Sequence, residues 1–359
     1  MSRLVLAESD PRGLRVALVV DRRLTAIEID RAGRPTRVGM AGPAKIIRTV
    51  RGLGALVKLA DGAEMLLDGA GDAVAAGETL LAQVLRDQRG AKLGIASREV
   101  ARAGRGLIHL PLGNTVKMSR RLEIEPERRK ALDDLLAGRG GWIVRGQARA
   151  LTDFELAAEA EALAAEGGRL GPAGATLAAP DAFRRLMSDH GVPAPDGILV
   201  AGREAGRAVT AWCGAFAPGL LDRVEAHGPD AGLFDAHDLD SALAALAEPR
   251  APLEDGGSLI IEPTEALTAI DVNAGAAANI LAVNLAAAKE IARQLVLRHI
   301  GGIVVIDFIS MSRARDRAQV CEALKAALAD DPARSDILPM SAFGLIEMTR
   351  ERRGPALEL

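Results

Sequence analysis

The chain has 359 residues, 49% hydrophobic and 26% charged, with a formal net charge of −3. That is too long for one ordinary core, so two or more domains are expected, and the composition is that of a soluble globular protein. No apolar run can span a bilayer, and Glu8 and Asp10 interrupt the opening stretch before it reads as a signal peptide, so a cytoplasmic chain with no membrane partner is expected. The five histidines are scattered without HxxxH or HxH spacing, which argues against a zinc site or a histidine-based triad. Cys213 and Cys321 have no partner spacing and read as buried free thiols.

In chain order, residues 14–20 (LRVALVV), a polar Asp21-Arg22-Arg23 and residues 24–29 predict a strand, a turn and a second strand. Between 45 and 81, the short runs KIIRTV, GALVKLA and AEMLL alternate with Gly-rich turns and predict a small β-barrel. The Gly-rich piece 68–77 reads as a barrel turn and not a phosphate loop, because no GK[ST] follows. Residues 91–150 hold 13 Lys or Arg against 6 Asp or Glu in a chain that is acidic overall. Such a basic middle is a candidate phosphate-binding face; a helix surface laced with ion pairs is the competing reading. Strands are predicted near LIHLP and GWIVRG with the helix PERRKALDDLLAG between them, then a helix over 153–166, a linker over 167–180, and short mixed elements to 250.

From 255 the pattern sharpens. DGGSLIIEPTEALTAIDVN predicts a hairpin of strands 258–262 and 266–273. Residues 276–299 form helix, which Gly301-Gly302 is expected to stop. The run GGIVVIDFIS then reads as a strand buried on both faces. This β–α–β unit sets the strands of Asp271 and Asp307 side by side and parallel, each carboxylate near a carboxyl end. Strand alternation points Asp271 and Asn273 the same way. Two converging carboxylates repel, and a hard divalent cation relieves the repulsion; Mg²⁺ is typically held by one or two carboxylates and completes its shell with water and phosphate oxygens. Asn273 could hold one carboxylate in its metal-facing rotamer. Closure of the strand ends by hydrogen bonds to nearby backbone N–H groups is the alternative.

These residues carry a resemblance. EALTAIDVNAG, NLAAAKEIARQLVLRHIGGIVVIDFISM and FGLIEMTRERR, in this order and spacing, closely resemble the ribonuclease E/G family, and LRVALVVDRRL is similar to its opening hairpin. The resemblance implies an α/β multi-subdomain fold: an RNase H-like subdomain in two parts (1–38 and 171–229), an inserted OB-type barrel (39–97), a 5′-phosphate sensor-like region (98–170) and a DNase I-like catalytic subdomain (230–359). It implies Mg²⁺-dependent endonucleolytic cleavage of single-stranded RNA in RNA processing or decay, with Mn²⁺ as a substitute ion. By motif match Asp271 and Asp307 are the metal ligands, Asn273 orients them, and Arg145 with Gly146 meets the RNA 5′ phosphate. Lys92, Arg120 and Arg121 are candidate RNA contacts.

The chain also departs from the family pattern. Ser310 stands where a second Asp is usual, AGAAANIL replaces a longer charged loop after Asn273, and Gly146 replaces a threonine. Leu56 and Leu66 stand at the barrel's aromatic positions. The family's zinc-linking cysteine pair is not present, so no zinc is expected, and a monomer or a homodimer without a zinc link is. The departures keep open a relative that binds RNA without cutting it, and a metal-dependent phosphatase or scaffold remains a third class.

Overall fold

The computed structural model describes residues 2–359 except 51, 53, 69–73, 89, 91, 120, 121, 123, 172, 173, 229–231, 255, 356, 358 and 359. The chain is mixed α/β and divides into two compact units, residues 1–21 with 28–233 and residues 22–27 with 234–359.

The chain opens with β1 (Arg3–Asp10), β2 (Gly13–Val20) and β3 (Arg23–Arg31). The turn between β2 and β3 uses left-handed backbone at Asp21 and Arg22. β1 was not anticipated from the sequence; it pairs antiparallel with β2 and buries Val5, Leu6 and Ala7. Next, β4 (Ala41–Val50), β5 (Gly54–Leu59), β6 (Glu64–Leu67), β7 (Thr79–Arg86) and β8 (Gly94–Ser97) close into a barrel in the order β4-β5-β6-β8-β7. This is the expected small barrel, consistent with an OB type, and alternation fills it with Ile46, Val57, Met65, Leu67 and Val84. Half of the expected turn at 68–77, residues 69–73, lies outside the described residues.

The basic section forms β9 (Arg102–Ala103), β10 (Leu107–Leu110), β11 (Val116–Met118), α1 (Pro126–Leu136) and β12 (Gly141–Val144), with sheet order β11-β12-β10-β9. A 3-10 turn, Gly146–Ala150, leads into α2 (Asp153–Gly167). A capping box starts α2: the Glu155 N–H donates to Thr152 Oγ1 at 3.2 Å and the Thr152 N–H to Glu155 Oε2 at 2.9 Å. The unit ends with α3 (Ala182–His190), β13 (Gly197–Ala201), α4 (Arg203–Phe216) and β14 (Val224–Ala226). β13 lies parallel to β1, and the sheet order is β14-β13-β1-β2-β3. Cys213 on α4 and Cys321 are free and buried, as expected, and burial pushes the Cys213 thiol up to about 11.

The second unit runs through α5 (Leu233–Ala236), α6 (Leu239–Ala247), β15 (Arg250–Pro252), β16 (Ser258–Pro263), β17 (Thr268–Asn273), α7 (Ile280–Leu297), β18 (Gly302–Asp307), α8 (Ala314–Ala327), β19 (Ser335–Ile337) and β20 (Leu345–Arg350). Its six-stranded sheet has the order β15-β16-β17-β18-β20-β19. Core residues of α7 and α8 (Ala287, Ala288, Ile291, Leu295, Val320, Leu324) join Leu259, Ile261, Ile270, Val272, Val304, Ile306, Ile346 and Met348 of the strands. The alanines let α7 lie close to the sheet. α7 starts later than expected, at Ile280, where the Ala282 N–H donates to the Asn279 side chain at 3.1 Å. It also stops earlier: His299, not a glycine, takes the left-handed position at φ 52°, with its ring nitrogens against the carbonyls of Ile27 (2.9 Å) and Pro355 (3.0 Å). Among the described residues no helix is long and apolar enough to cross a membrane.

Candidate active site

β17 and β18 are parallel neighbours, and Asp271 and Asp307 are direct register partners. Ile270 and Val272 point into the helix-covered core, as do Val304 and Ile306, so alternation turns Asp271, Asn273 and Asp307 to the other face. That face is open. Asp271, Asn273 and Asp307 are exposed, and Ile303 is 51% exposed, so the expectation of a strand buried on both faces is corrected: only one side of β18 is covered. Asp307 needs no burial partner because it is not buried.

Backbones of adjacent strands run about 4.8 Å apart, which brings two like charges together. Asn273 Nδ2 donates to Asp271 Oδ2 at 2.7 Å and fixes that carboxylate's rotamer. Glu262 and Glu347, exposed and one row away through Ala269 and Val305, add further negative charge to the same face. No group of three or more His, Cys, Asp or Glu side chains fit to hold a metal occurs among the described residues. The pair of carboxylates with its oriented amide is the candidate donor set. Two hard oxygens side by side on an open face suit Mg²⁺ or Mn²⁺, which take oxygen ligands.

The surroundings fix the pair. Gly275, at φ 59°, turns the chain after Asn273, and a Cβ there would lie 2.4 Å from the Gly256 carbonyl oxygen. Asn284 is fully buried on α7; its Nδ2 donates to the Ile309 carbonyl at 2.8 Å and its Oδ1 accepts the Ile309 N–H at 3.2 Å. Both bonds pin the backbone just past Asp307. A lone polar residue in the apolar stretch ILAVNLAAA was the available signal for this role, and sequence reasoning missed it. Under β20, Arg350 meets Asp331 through two bonds of 2.7 and 2.9 Å, with Asp331 1% and Arg350 7% exposed. Ser310 is exposed beyond β18.

Arg145 sits elsewhere, in the first unit, where it precedes the 3-10 turn that Gly146 opens. Its Nη1 donates to the carbonyls of Gly104 (2.7 Å) and Ser188 (2.6 Å), and its Nη2 to Asp189 (3.3 Å); the side chain is 11% exposed. The basic middle as a whole is less of a face than its charge suggests. Arg102 pairs with Glu166, fully buried Arg105 with Glu155, and Arg128 reaches the carbonyls of Ala148, Arg149 and Leu151. Burial, reinforced by nearby Arg184, lowers the pKa of Arg102. The face reading is corrected accordingly, while Arg98, Lys117, Arg129, Arg139 and Arg149 remain exposed. Lys92 is exposed just before β8; Arg120 and Arg121 lie outside the described residues.

On the barrel wall, Leu56 of β5 and Leu66 of β6 are register partners and half-buried. The row extends to Arg48 on one side and through Ile95 to Arg86 on the other. An apolar strip bounded by two exposed arginines thus occupies the aromatic positions, and no sequence signal had singled out Arg48 or Arg86.

A model of the Ribonuclease E/G family matches residues 102–353. Ribonuclease G of Escherichia coli (strain K12) is 31% identical over 299 residues, which cover 79% of this chain and 61% of that protein. Ribonuclease E of a Nostoc species is 33% identical over 299 residues, 77% of this chain and 43% of that one. Ribonuclease G of Haemophilus influenzae aligns over 99% of this chain and 80% of its own at 27% identity. The chain thus spans about three fifths of the Escherichia coli relative it matches.

Proposed function

This chain belongs to the ribonuclease E/G family, and we propose that it is a divalent-metal-dependent endonuclease that hydrolyses single-stranded RNA in the cytoplasm, in RNA processing or decay. The observation that carries the proposal is the register pairing of Asp271 with Asp307 on an open sheet face, with Asn273 bound to Asp271. That face is strongly acidic and would repel a phosphodiester by itself. Asp271 and Asp307 would hold Mg²⁺ or Mn²⁺, and Asn273 keeps one carboxylate turned toward it. When bound, the cation supplies charge neutralisation for the phosphate in flight and Lewis-acid activation. Asn284 keeps the backbone beyond Asp307 from drifting, which matters because catalytic positioning tolerates displacements well under 1 Å.

The finer parts of the proposal follow the family. The sheet order β14-β13-β1-β2-β3 supports an RNase H-like subdomain, and the six-stranded sheet with α7 and α8 supports a DNase I-like one. The Arg48–Leu56–Leu66–Ile95–Arg86 row is the RNA-binding face of the barrel, with apolar contact and flanking cations in place of aromatic stacking. A 5′-monophosphate preference rests on Arg145 and Gly146: N–H groups in the first turn of a helix lack partners inside it, and the Arg145 charge is next to them. The decisive experiment incubates the protein with 5′-monophosphorylated single-stranded RNA in Mg²⁺, in Mn²⁺ and in EDTA. Cutting with either ion and none in EDTA is expected. A gel shift without cutting would make the chain a binding relative, and neither result would remove RNA from its function.

A further inference from the structure

The chain has no tyrosine, two tryptophans and six phenylalanines. Trp142, Trp212, Phe183, Phe216, Phe234 and Phe308 are all at most 5% exposed. The two exceptions are Phe154, 72% exposed, and Phe343, 82% exposed. An exposed phenyl ring on the surface makes no favourable contact with water, so its location asks what covers it.

Phe343 is fixed at the edge of the carboxylate site. Leu345 is the register partner of Asp307, so Phe343 lies two residues along from that partner. The segment is a tight turn: the Gly344 N–H donates to the Ser341 carbonyl at 3.2 Å, the Ser341 N–H to the Leu345 carbonyl at 2.9 Å, and the Leu345 N–H to Ser341 Oγ at 3.2 Å. The turn is also tied to β18, because the Phe308 N–H, one residue past Asp307, donates to the Gly344 carbonyl at 3.2 Å. Gly344 is required there: its φ is 92° and a Cβ would stand 2.7 Å from the Phe308 carbonyl oxygen. The backbone under Phe343 is therefore already ordered, and a ligand need not supply that ordering.

We propose that Phe343 is a stacking platform for an RNA base beside the scissile phosphate. This rests on the reading of the Asp271–Asp307 pair as the cleavage site and adds a substrate contact to it. The ring offers a π-face that any base can cover, so it fixes position without dictating sequence. It also compensates for the barrel, whose Leu56 and Leu66 offer no ring at all. Leu338, whose N–H donates to the Glu347 carbonyl at 3.0 Å, is a further exposed apolar residue, at 57%.

Three variants of the full chain test this: Phe343→Ala, Phe343→Leu and Phe343→Trp. The side chain is mostly in solvent, so thermal unfolding of all three should match the wild type. Single-stranded RNA carrying 2-aminopurine at successive positions around the cut reports stacking by quenching, in EDTA and without cleavage. One position should be quenched by the wild type and by Phe343→Trp, and not by the Ala or Leu variants. With Mg²⁺, kcat/KM for Ala and Leu should fall roughly 5- to 150-fold, the range for loss of one stacked base, and Trp should restore it. Wild-type quenching and cleavage in all variants would overturn the platform and leave the cleavage reading intact. Phe343-dependent quenching in a protein that never cuts would keep the platform and overturn the nuclease reading. A wild type that neither binds nor cuts RNA would overturn both.

Discussion

The arginines of the basic middle and the aspartates of the six-stranded sheet are held in opposite ways. Arg102, Arg105 and Arg145 have side chains 4%, 0% and 11% exposed, and each is paired with a carboxylate. Asp271 and Asp307 stand exposed beside each other, two like charges on one open face. A buried charge with partners has become part of the fold, because removing it strands those partners. An exposed charge next to a like charge costs the fold something and can accept a new partner without rearrangement. The difference separates charges that build the protein from charges available to a ligand, and net charge along the sequence does not reveal it.

The largest effect should come from the outward pair. Asp271→Asn and Asp307→Asn keep the shape and remove a charge from the metal's donor set. Cleavage should fall on the order of a thousandfold or more, equivalent to the several kcal/mol of charge stabilisation a bound metal supplies. Unfolding free energies should move by less than about 0.5 kcal/mol, as for surface substitutions in general, and RNA affinity should hold. Calorimetric titration should show weaker Mg²⁺ binding in both. Wild-type cutting by either variant removes the metal assignment.

Arg145 is where the contrast can break. Arg145→Ala removes a donor from the carbonyls of Gly104 and Ser188 and from Asp189, so urea unfolding should show a loss of about 2–4 kcal/mol. The same variant should lose the preference for 5′-monophosphate over 5′-hydroxyl RNA. A lost preference with unchanged stability would make Arg145 a ligand-facing cation and not a clamp. A lost stability with the preference kept would place 5′-end recognition elsewhere.

The second unit was the more legible half. Period-2 alternation in TAIDVN, a long helical run and a second β-branched strand dictate the β–α–β unit, and crossover geometry alone brings Asp271 beside Asp307. What alternation could not tell was whether the second face of β18 was covered, since IVVI reads the same when one side is open. Asn284 was illegible for a different reason: its partner is the backbone of Ile309, and a backbone carbonyl leaves no mark in a sequence. The same blindness hides the acceptors of Arg128 and Arg145, which are chiefly backbone carbonyls. β1 escaped because its alternation is short and ends in charged residues, while its pairing partners β2 and β13 are set by tertiary contact.

A smaller effect concerns acid. Burial pushes Glu166 up, but the hydrogen bonds and charges of Arg184 and Arg102 outweigh it and hold the carboxyl below its ordinary 4.5. A carboxyl depressed in the folded state contributes stability above its unfolded value and loses it as the pH falls through the folded one. Stability of the wild type should therefore decline below about pH 4.5, and Glu166→Gln should start lower at neutral pH and show a shallower acid slope. Urea unfolding from pH 7 to pH 3 measures both. Parallel slopes would mean that the Arg184 and Arg102 pairings contribute nothing net.

The smallest effect tests whether a single hydroxyl tunes the 5′ end. Gly146 is outside the positive-φ glycines, so its backbone conformation is open to a residue with a Cβ. It opens the 3-10 turn after Arg145, and the first N–H groups of a helical turn lack partners inside it. A threonine would add one hydroxyl donor, and its branched Cβ leaves little rotamer freedom to lose on binding. A hydrogen bond to a charged group contributes at most about 1.5–3 kcal/mol, and part of that is spent displacing water. A net of about 1 kcal/mol is then reasonable, so Gly146→Thr should raise the ratio of 5′-monophosphate to 5′-hydroxyl cleavage by about fivefold. Competition assays with both RNAs in one tube read that ratio directly. An unchanged ratio, with Arg145→Ala lacking any preference, would mean that the guanidinium meets the phosphate alone. An unchanged ratio with Arg145→Ala keeping its preference would remove the whole 145–150 segment from 5′-end recognition.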